Sequence, residues 1–97
     1  MFATIVRFDL PEMTSTEECA QLGRELATLL STIPGFLAYI ALKASTAQIA
    51  AVAIVEDRQS LDVTQQRCEQ WASGRFDGSA AHIQPLGAGE IIAQRGL

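Results

Sequence analysis

Runs of apolar residues predict four strands along the chain. The first, Phe2 to Asp9, is rich in β-branched and aromatic residues and is closed by Pro11. Two further runs, Phe36 to Lys43 and Gln48 to Glu56, are separated by only four residues, which predicts a hairpin. A shorter run, Glu90 to Ala93, is the predicted last strand.

Between the first two strands the apolar spacing changes to three and four residues, which predicts an amphipathic helix. It starts with a capping box, formed by Thr14 with Glu17 or by Ser15 with Glu18. The Pro-Gly pair that follows its last apolar residue ends it, because proline cannot continue a helix. The buried stripe spans about five turns and consists of Cys19, Leu22, Leu26, Leu29, Leu30 and Ile33.

A second helix is predicted for residues 58–75, where Asp57 can act as the cap. Its inner stripe consists of Leu61, Cys68 and either Trp71 or Ala72. Glycines at positions 74 and 78, and the sequence Pro85-Leu86-Gly87, predict an irregular exit towards the last strand.

The element order β-α-β-β-α-β is the ferredoxin-like arrangement, an α+β fold in which a four-stranded antiparallel sheet carries both helices on one face. We expect one such domain over residues 1–97. The central runs Phe36 to Leu42 and Ile49 to Val55 contain no charged residue, although a sheet with one wet face should alternate apolar and polar residues. The face away from the helices must therefore be covered. A second copy of the same sheet is the simplest cover, which predicts a homodimer.

Composition and charge exclude several classes of protein. The 97 residues are 48% hydrophobic and 19% charged, which fits one globular domain and excludes intrinsic disorder. A net charge of −4 disfavours nucleic acid and anionic membranes as partners. No apolar run approaches the ~20 residues of a membrane span, and the first residues lack a signal-peptide pattern, so a cytoplasmic protein is expected.

Neither a bound metal nor a disulfide is expected. Cys19 and Cys68 are far apart in the chain, and each lies among apolar helix positions, which favours small reduced core residues. Together with His82 they supply only three cysteine and histidine ligands, whereas a structural zinc site needs four.

Four segments spread over the chain have a distinctive sequence. They are Ile33-Pro34-Gly35-Phe36 at the entry to the second strand, Val55-Glu56-Asp57 after the third, Thr64 to Trp71 on the second helix, and the closing Ala88-Gly89-Glu90-Ile91. Together they resemble the antibiotic-biosynthesis-monooxygenase-like proteins of the dimeric α/β barrel superfamily. The resemblance implies a homodimer whose two sheets face each other as a barrel. It also implies a pocket in each monomer, between the sheet and its helices.

The resemblance further implies a cofactor-independent monooxygenase or a heme-degrading monooxygenase. Both groups place an asparagine and a tryptophan in the pocket, and the heme-degrading group adds a histidine as iron ligand. This chain has no asparagine, and Gln65 stands close to where relatives often have one. Trp71 matches the tryptophan that both groups have in the pocket. His82 lies near the spacing of the heme ligand, although the intervening glycines predict a loop there.

The candidate pocket residues on the second helix are Trp71, Gln65 and Thr64. Trp71 is either a core anchor or the wall of a pocket on which a flat ligand stacks. Thr64 and Gln65 precede it by about two helical turns, so they belong either to the pocket or to the flank of the helix.

Two strand residues complete the set. Tyr39 either satisfies its hydroxyl locally or turns it towards a substrate oxygen in an apolar pocket. Arg7 is a charge within the first strand, and it is either paired, for instance with Asp9 or Glu90, or part of the pocket. His82 is a weaker candidate, because a solvated loop histidine is the simpler interpretation.

No motif for nucleophilic, phosphate or metal chemistry occurs in the sequence. Cofactor-free oxygenation requires none of these, because it needs an apolar pocket and a few groups that deprotonate and orient an electron-rich substrate. The leading hypothesis is a monooxygenase that acts on a small aromatic or polycyclic compound without metal or flavin. The alternative from another class is a non-catalytic dimeric module that binds a hydrophobic small molecule. Heme degradation through His82 is a third hypothesis.

Overall fold

Six elements of regular structure follow one another in the computed structural model. It describes residues 1–10, 15–75 and 82–96, except for the side chains of Arg75 and His82. The elements are β1 (Phe2–Asp9), α1 (Thr16–Leu30), β2 (Phe36–Ser45), β3 (Gln48–Val55), α2 (Arg58–Arg75) and β4 (His82–Glu90).

The four strands form one antiparallel sheet in the order β2-β3-β1-β4. The element order β-α-β-β-α-β together with this strand order defines the ferredoxin-like α+β fold, as the sequence predicts. A two-residue turn at Thr46 and Ala47 joins β2 to β3, so β2 is two residues longer than expected.

One face of the sheet packs against both helices and contains the core. Along β3 the residues Ile49, Ala51, Ala53 and Val55 are buried, and the residues between them are only half-buried. This alternation shows that one face of the sheet is covered and the other is not. The buried stripe of α1 packs on this face and completes the core with Cys19, Leu22, Leu26 and Leu30.

Helix α1 begins as the second of the two capping boxes predicts. The Ser15 hydroxyl accepts a hydrogen bond from the Glu18 backbone N–H at 3.0 Å and contacts the Glu18 carboxylate at 3.1 Å. The helix ends at Leu30, after about four turns and not five. Ile33 is buried like the stripe residues, but it lies in the turn beyond the helix.

Helix α2 has the predicted bounds and the predicted cap. The Asp57 carboxylate accepts a hydrogen bond from the Ser60 backbone N–H at 2.7 Å, and this bond lowers the pKa of Asp57. The Ser60 hydroxyl in turn donates to the Pro34 carbonyl at 2.7 Å. The start of α2 is thereby tied to the turn that leads into β2.

The position of the last strand differs from the prediction. Glu90 to Ala93 was expected to form it, whereas β4 spans His82–Glu90 and only Glu90 is shared. The expected irregular exit at Pro85-Leu86-Gly87 is part of this strand, where a bulge opposite Ile5 and Val6 accommodates it. Because β4 is an edge strand, a proline there does not remove a bond to a further neighbour.

The sheet face opposite the helices carries apolar side chains across three strands. Ile5, Val52 and Ile40 stand side by side in the register of β1, β3 and β2, and Ile54 lies next to them on β3. Ile40 is 61% exposed and Ile5 is 40% exposed. We call these four residues the outer patch. It corresponds to the uncovered face that the uncharged central strands predict.

Within the described ranges, no helix is long and apolar enough to cross a membrane.

Candidate functional site

A cleft of about 450 Å³ lies between α1 and the neighbouring strand β2. We call it the α1 cleft. From α1 it is lined by residues at helical spacing, namely Thr16, Cys19, Ala20, Gly23, Arg24 and Ala27. Its other side consists of Tyr39, Ala41, Leu42, Lys43 and Ile49.

The cleft exists because small residues face each other across it. Ala20, Gly23 and Ala27 lie on the side of α1 that faces β2, and Ala41 lies opposite them. A Cβ atom on Gly23 would stand 3.5 Å from the Ala41 Cβ, which is ordinary contact. The helix and the strand approach each other at this point, and the space on either side of it stays open.

A second, much smaller cavity of about 10 Å³ lies deeper in the monomer. We call it the inner cavity. It shares Gly23, Tyr39 and Ile49 with the α1 cleft and extends to Phe8 and Trp71. Its volume is about that of one water-sized probe. Tyr39 therefore stands at the boundary between the open cleft and the packed interior.

The Tyr39 hydroxyl is buried and has no hydrogen-bond partner among the described residues. Burial raises the pKa of Tyr39 to about 12, with a smaller contribution from Cys68. The phenol is therefore protonated at neutral pH and can donate a hydrogen bond. Leaving such a group without a hydrogen bond is costly.

Trp71 packs against the core and reaches the inner cavity. Its ring meets the Phe8 ring edge to face, with centroids 5.4 Å apart. It is half-buried, and it does not line the α1 cleft. The structure thus brings Trp71 and Tyr39 together around the inner cavity, whereas only Tyr39 also borders the cleft.

Thr64 and Gln65 line neither the α1 cleft nor the inner cavity. Thr64 is fully buried, and its hydroxyl donates to the Ser60 carbonyl one turn earlier at 2.8 Å. Gln65 is half-buried on the same helix. Neither side chain is therefore positioned beside Tyr39 in the cleft.

Arg7 lies on the wrong face of the sheet for the pocket. Its neighbours Val6 and Phe8 point into the core, so the alternation of the strand turns Arg7 towards the opposite face. There its Nε atom lies 3.2 Å from the Asp9 carboxylate, and its guanidinium donates to Gln84. The structure therefore pairs Arg7 with Asp9, which is one of the two alternatives, on the sheet face opposite the helices.

His82 begins β4 opposite Asp9, so the expected loop position is wrong. Its side chain lies outside the described part of the structure, and heme ligation by His82 stays a hypothesis. Among the described residues no group of three or more potential metal ligands occurs.

Both cysteines are buried core residues with free thiols, as their sequence context predicts. Burial raises the pKa of the Cys68 thiol to about 11, and the neighbouring Glu69 carboxylate adds to this effect. Cys68 is therefore a poor nucleophile at neutral pH. Cys19 contributes its side chain to the wall of the α1 cleft.

The sequence matches no protein-family model and no curated protein, so the informative similarity is to solved structures. A variant of SnoaB from Streptomyces nogalater, described as a cofactor-independent oxygenase, superimposes with a TM-score of 0.70 at 13% identity, covering 96% of this chain and 94% of that one. A structure described as an antibiotic biosynthesis monooxygenase gives a TM-score of 0.59 at 15% identity, covering 90% and 97%. This chain has the same ferredoxin-like fold as these structures. The resemblance seen in the sequence is thereby confirmed at the level of the fold.

A third similar structure concerns assembly. A dimeric ferredoxin-like protein from an uncultured marine organism has a TM-score of 0.63 at 14% identity, and each chain is covered over 100% of its length. In the single chain that the structure describes, Ile40 and Ile5 of the outer patch are exposed.

The charged and small residues of the α1 cleft were missed by sequence reasoning. The apolar stripe of α1 predicts its buried side, whereas the cleft is lined by the neighbouring stripe with Ala20, Gly23 and Ala27. Small residues recurring at spacings of three and four were the available signal, because they mark a helix face that leaves room. Lys43 and Arg24 gave no such signal, since single exposed cations are common on any surface.

Proposed function

We propose that this protein is a cofactor-independent monooxygenase that acts on a flat phenolic compound bound in the α1 cleft. The observation that carries the proposal is Tyr39, which lines a cleft with mostly apolar walls and whose buried hydroxyl has no hydrogen-bond partner among the described residues. The fold supports it, because a structure that superimposes over nearly the whole chain is described as a cofactor-independent oxygenase.

In this proposal Tyr39 orients the substrate. Its protonated hydroxyl donates a hydrogen bond to a substrate oxygen, and that bond strengthens when negative charge develops on the oxygen. The apolar walls, among them Ala41 and Ile49, exclude water from the ring system. The reactive edge of the substrate is thereby held against the protein, while the rest lies along the cleft.

The substrate itself supplies the electrons. Oxidation of a ring CH₂ group beside a phenol to a ketone takes up one O₂ molecule. One oxygen atom bonds to the carbon, and the two hydrogen atoms of that carbon leave with the second oxygen atom as water. Both electrons needed to reduce the second oxygen atom come from the substrate carbon, so the reaction balances without an external reductant.

A non-catalytic binding module is the second candidate. Among the described residues that line the α1 cleft there is no carboxylate and no imidazole. A general base with an ordinary pKa near neutrality is therefore lacking from this part of the wall. The module would hold an aromatic ligand by the same contacts and release it unchanged.

We further propose that the protein acts as a homodimer joined through the outer patch. The side-by-side row of Ile5, Val52 and Ile40 is an apolar surface of the kind that monomers rarely leave bare. Covering about 600 Å² of it per subunit would contribute about 15 kcal/mol before the costs of association. The dimeric ferredoxin-like structure of similar fold supports this arrangement.

The experiment is oxygen uptake by the purified protein with a phenolic anthrone as substrate, measured with and without added flavin and metal ions. The proposal expects one O₂ consumed per ketone formed, with no stimulation by either addition. Tyr39→Phe should lower kcat by about tenfold or more, because a hydrogen bond to a charged oxygen is worth about 1.5–3 kcal/mol. Gln66→Ala, an exposed change on α2, is the control. Saturable binding with the anthrone recovered unchanged beyond its spontaneous oxidation would instead support the binding module.

A further inference from the structure

Two cations stand at the mouth of the α1 cleft, and the proposed function makes no use of them. Arg24 lines the cleft from α1 and Lys43 lines it from β2. We propose that these two residues select aromatic ligands that carry an acidic group, a carboxylate or an ionised phenol, at their outer edge. This inference rests on the proposed function only in taking the α1 cleft as the ligand site.

Lys43 is held at the cleft by a specific contact. Its Nζ atom donates a hydrogen bond to the Thr16 hydroxyl at 2.7 Å, in the first turn of α1. The start of a helix carries a partial positive charge from its unpaired N–H groups. The first turn of α1 also carries Glu17 and Glu18, which oppose this partial charge, so the attraction of an anion to this end of the cleft comes from Lys43 itself.

The strand register places Lys43 and Tyr39 on the same side of β2. Tyr39, Ala41 and Lys43 pair with Ala53, Ala51 and Ile49, all of which point towards the helices. Two steps of the strand alternation separate the Tyr39 and Lys43 positions, a distance of roughly 13 Å along the backbone. A flat ligand can therefore lie over Ala41 with one oxygen at Tyr39 and an acidic group near Lys43.

Arg24 reaches towards the same end of the cleft. Side chains of a helix lean towards its N-terminus, and the Arg24 guanidinium donates to Gln21 one turn earlier at 3.2 Å. This orientation moves the charge of Arg24 along α1 in the direction of Thr16 and Lys43. Neither cation has an ion pair with a carboxylate in the described part of the structure.

The chain is acidic overall, so a cleft wall with two cations and no acid among its described residues differs in charge from the rest of the chain. The chain has seven basic and eleven acidic residues, and Lys43 is its single lysine. The described residues that line the cleft nevertheless include two cations and no acid. Next to apolar walls the effective dielectric is lower than in water, so an anion is attracted more strongly here than elsewhere on the surface.

The test compares two ligands of nearly equal shape, naphthoate and naphthamide, by equilibrium dialysis against the whole protein. Only naphthoate is charged, so the ratio of the two dissociation constants isolates the charge preference. We expect naphthoate to bind about tenfold more tightly at low ionic strength, which is the effect of two partly exposed charge contacts. The ratio should fall towards one as salt is added.

Single substitutions test whether Arg24 and Lys43 cause the preference for the charged ligand. Arg24→Gln and Lys43→Gln should each reduce the ratio by about threefold, and Lys43→Arg should retain most of it. Arg67→Gln removes an exposed cation on α2 and is the matched control. Equal binding of both ligands, an equal loss in the Arg67 variant, or no saturable binding of naphthoate would overturn the inference.

The outcome is separable from that of the proposed function. A charge preference that depends on Arg24 and Lys43 in a protein that consumes no oxygen supports the present inference and contradicts the monooxygenase proposal. Oxygen consumption by a protein that binds both ligands equally supports the monooxygenase proposal and contradicts the present inference.

Discussion

Trp71 on α2 and Phe8 on β1 meet edge to face, with their ring planes inclined by 83° and their centroids 5.4 Å apart. Phe8 is almost completely buried, whereas Trp71 is half-buried. The contact joins the second helix to a central strand of the sheet. It also forms one wall of the inner cavity, which Tyr39 lines as well.

The first prediction concerns the role of Trp71. Trp71→Ala should lower the free energy of unfolding by about 2–4 kcal/mol, because it removes the partner of Phe8 and much of one cavity wall. Trp71→Phe retains an aromatic ring and should cost about 1 kcal/mol. Since Trp71 does not line the α1 cleft, Trp71→Phe should leave naphthoate affinity within about twofold of the unaltered protein.

Urea denaturation and equilibrium dialysis measure the two quantities. The sequence-based alternative, in which a ligand stacks on the indole, requires that ligand affinity falls in Trp71→Phe while stability is largely kept. That combination would show that the ligand enters the inner cavity and displaces the present contacts.

How far the sequence predicts the fold depends on whether local signals agree with the tertiary context. Ser15 and Asp57 cap the two helices as expected, because a cap is a local interaction between near neighbours. The last strand was misplaced because Pro85, Gly87 and Gly89 have low strand propensity. In the structure β4 pairs only with β1 and bulges at Leu86, so the partner strand overrides the weak local preference.

The site was less predictable than the fold. The sequence allows Tyr39 either to satisfy its hydroxyl locally or to turn it towards a pocket, and the structure leaves the buried hydroxyl without a partner among the described residues. For Arg7 the sequence leaves both a paired and a pocket position open, because it does not state which face of β1 meets the helices until Val6 and Phe8 are known to be buried. The cleft also depends on the distance between α1 and β2, and the small residues Ala20, Gly23 and Ala27 indicate only that this helix face leaves room.

The second prediction tests the dimer. Sedimentation equilibrium at micromolar concentration should give about twice the chain mass. Ile40→Lys places a charge in the middle of the outer patch and should shift the equilibrium strongly towards monomer, because that charge would be buried without a partner. Gln70→Lys introduces the same charge on the exposed side of α2 and should leave the dimer intact. A soluble monomer of the unaltered chain would contradict the proposed assembly.

The third prediction concerns stability at alkaline pH. The pKa of Cys68 is raised from 9.0 to about 11, and that of Tyr39 from 10.0 to about 12. Each group ionises more easily in the unfolded chain, so its contribution to stability is complete below the unfolded pKa and is lost as the pH rises through the folded pKa. The free energy of unfolding should therefore begin to fall above pH 9 and continue to fall up to about pH 12.

Two variants separate the contributions of Cys68 and Tyr39 to this pH dependence. Cys68→Ala should delay the onset of the fall to near pH 10, and Tyr39→Phe should remove its most alkaline part. Tyr39 is the single tyrosine of the chain, so tyrosinate absorbance reports its ionisation directly. A tyrosinate titration with a midpoint at pH 10 in the folded protein would contradict the burial of this hydroxyl.

The last prediction contrasts two glycines, each replaced by alanine. Gly35 lies in the turn before β2 with a φ of +88°, a conformation that costs a residue with a Cβ atom about 1–2 kcal/mol. A Cβ atom there would also collide with the Ser60 hydroxyl and so break its bond to the Pro34 carbonyl. Gly35→Ala should therefore lower the free energy of unfolding by about 2 kcal/mol or more.

Gly23 is the opposite case, because it lies within α1 and its added Cβ atom would only touch Ala41 at 3.5 Å. Gly23→Ala should stabilise the protein by up to about 1 kcal/mol through the higher helix propensity of alanine. The two variants make the same chemical change, so urea denaturation of both separates backbone conformation from side-chain size. If Gly35→Ala were tolerated as well as Gly23→Ala, the turn that ties α2 to the entry of β2 would have to adopt another conformation. If Gly23→Ala were instead destabilising by more than about 1 kcal/mol, α1 and β2 would lie closer together than the α1 cleft requires.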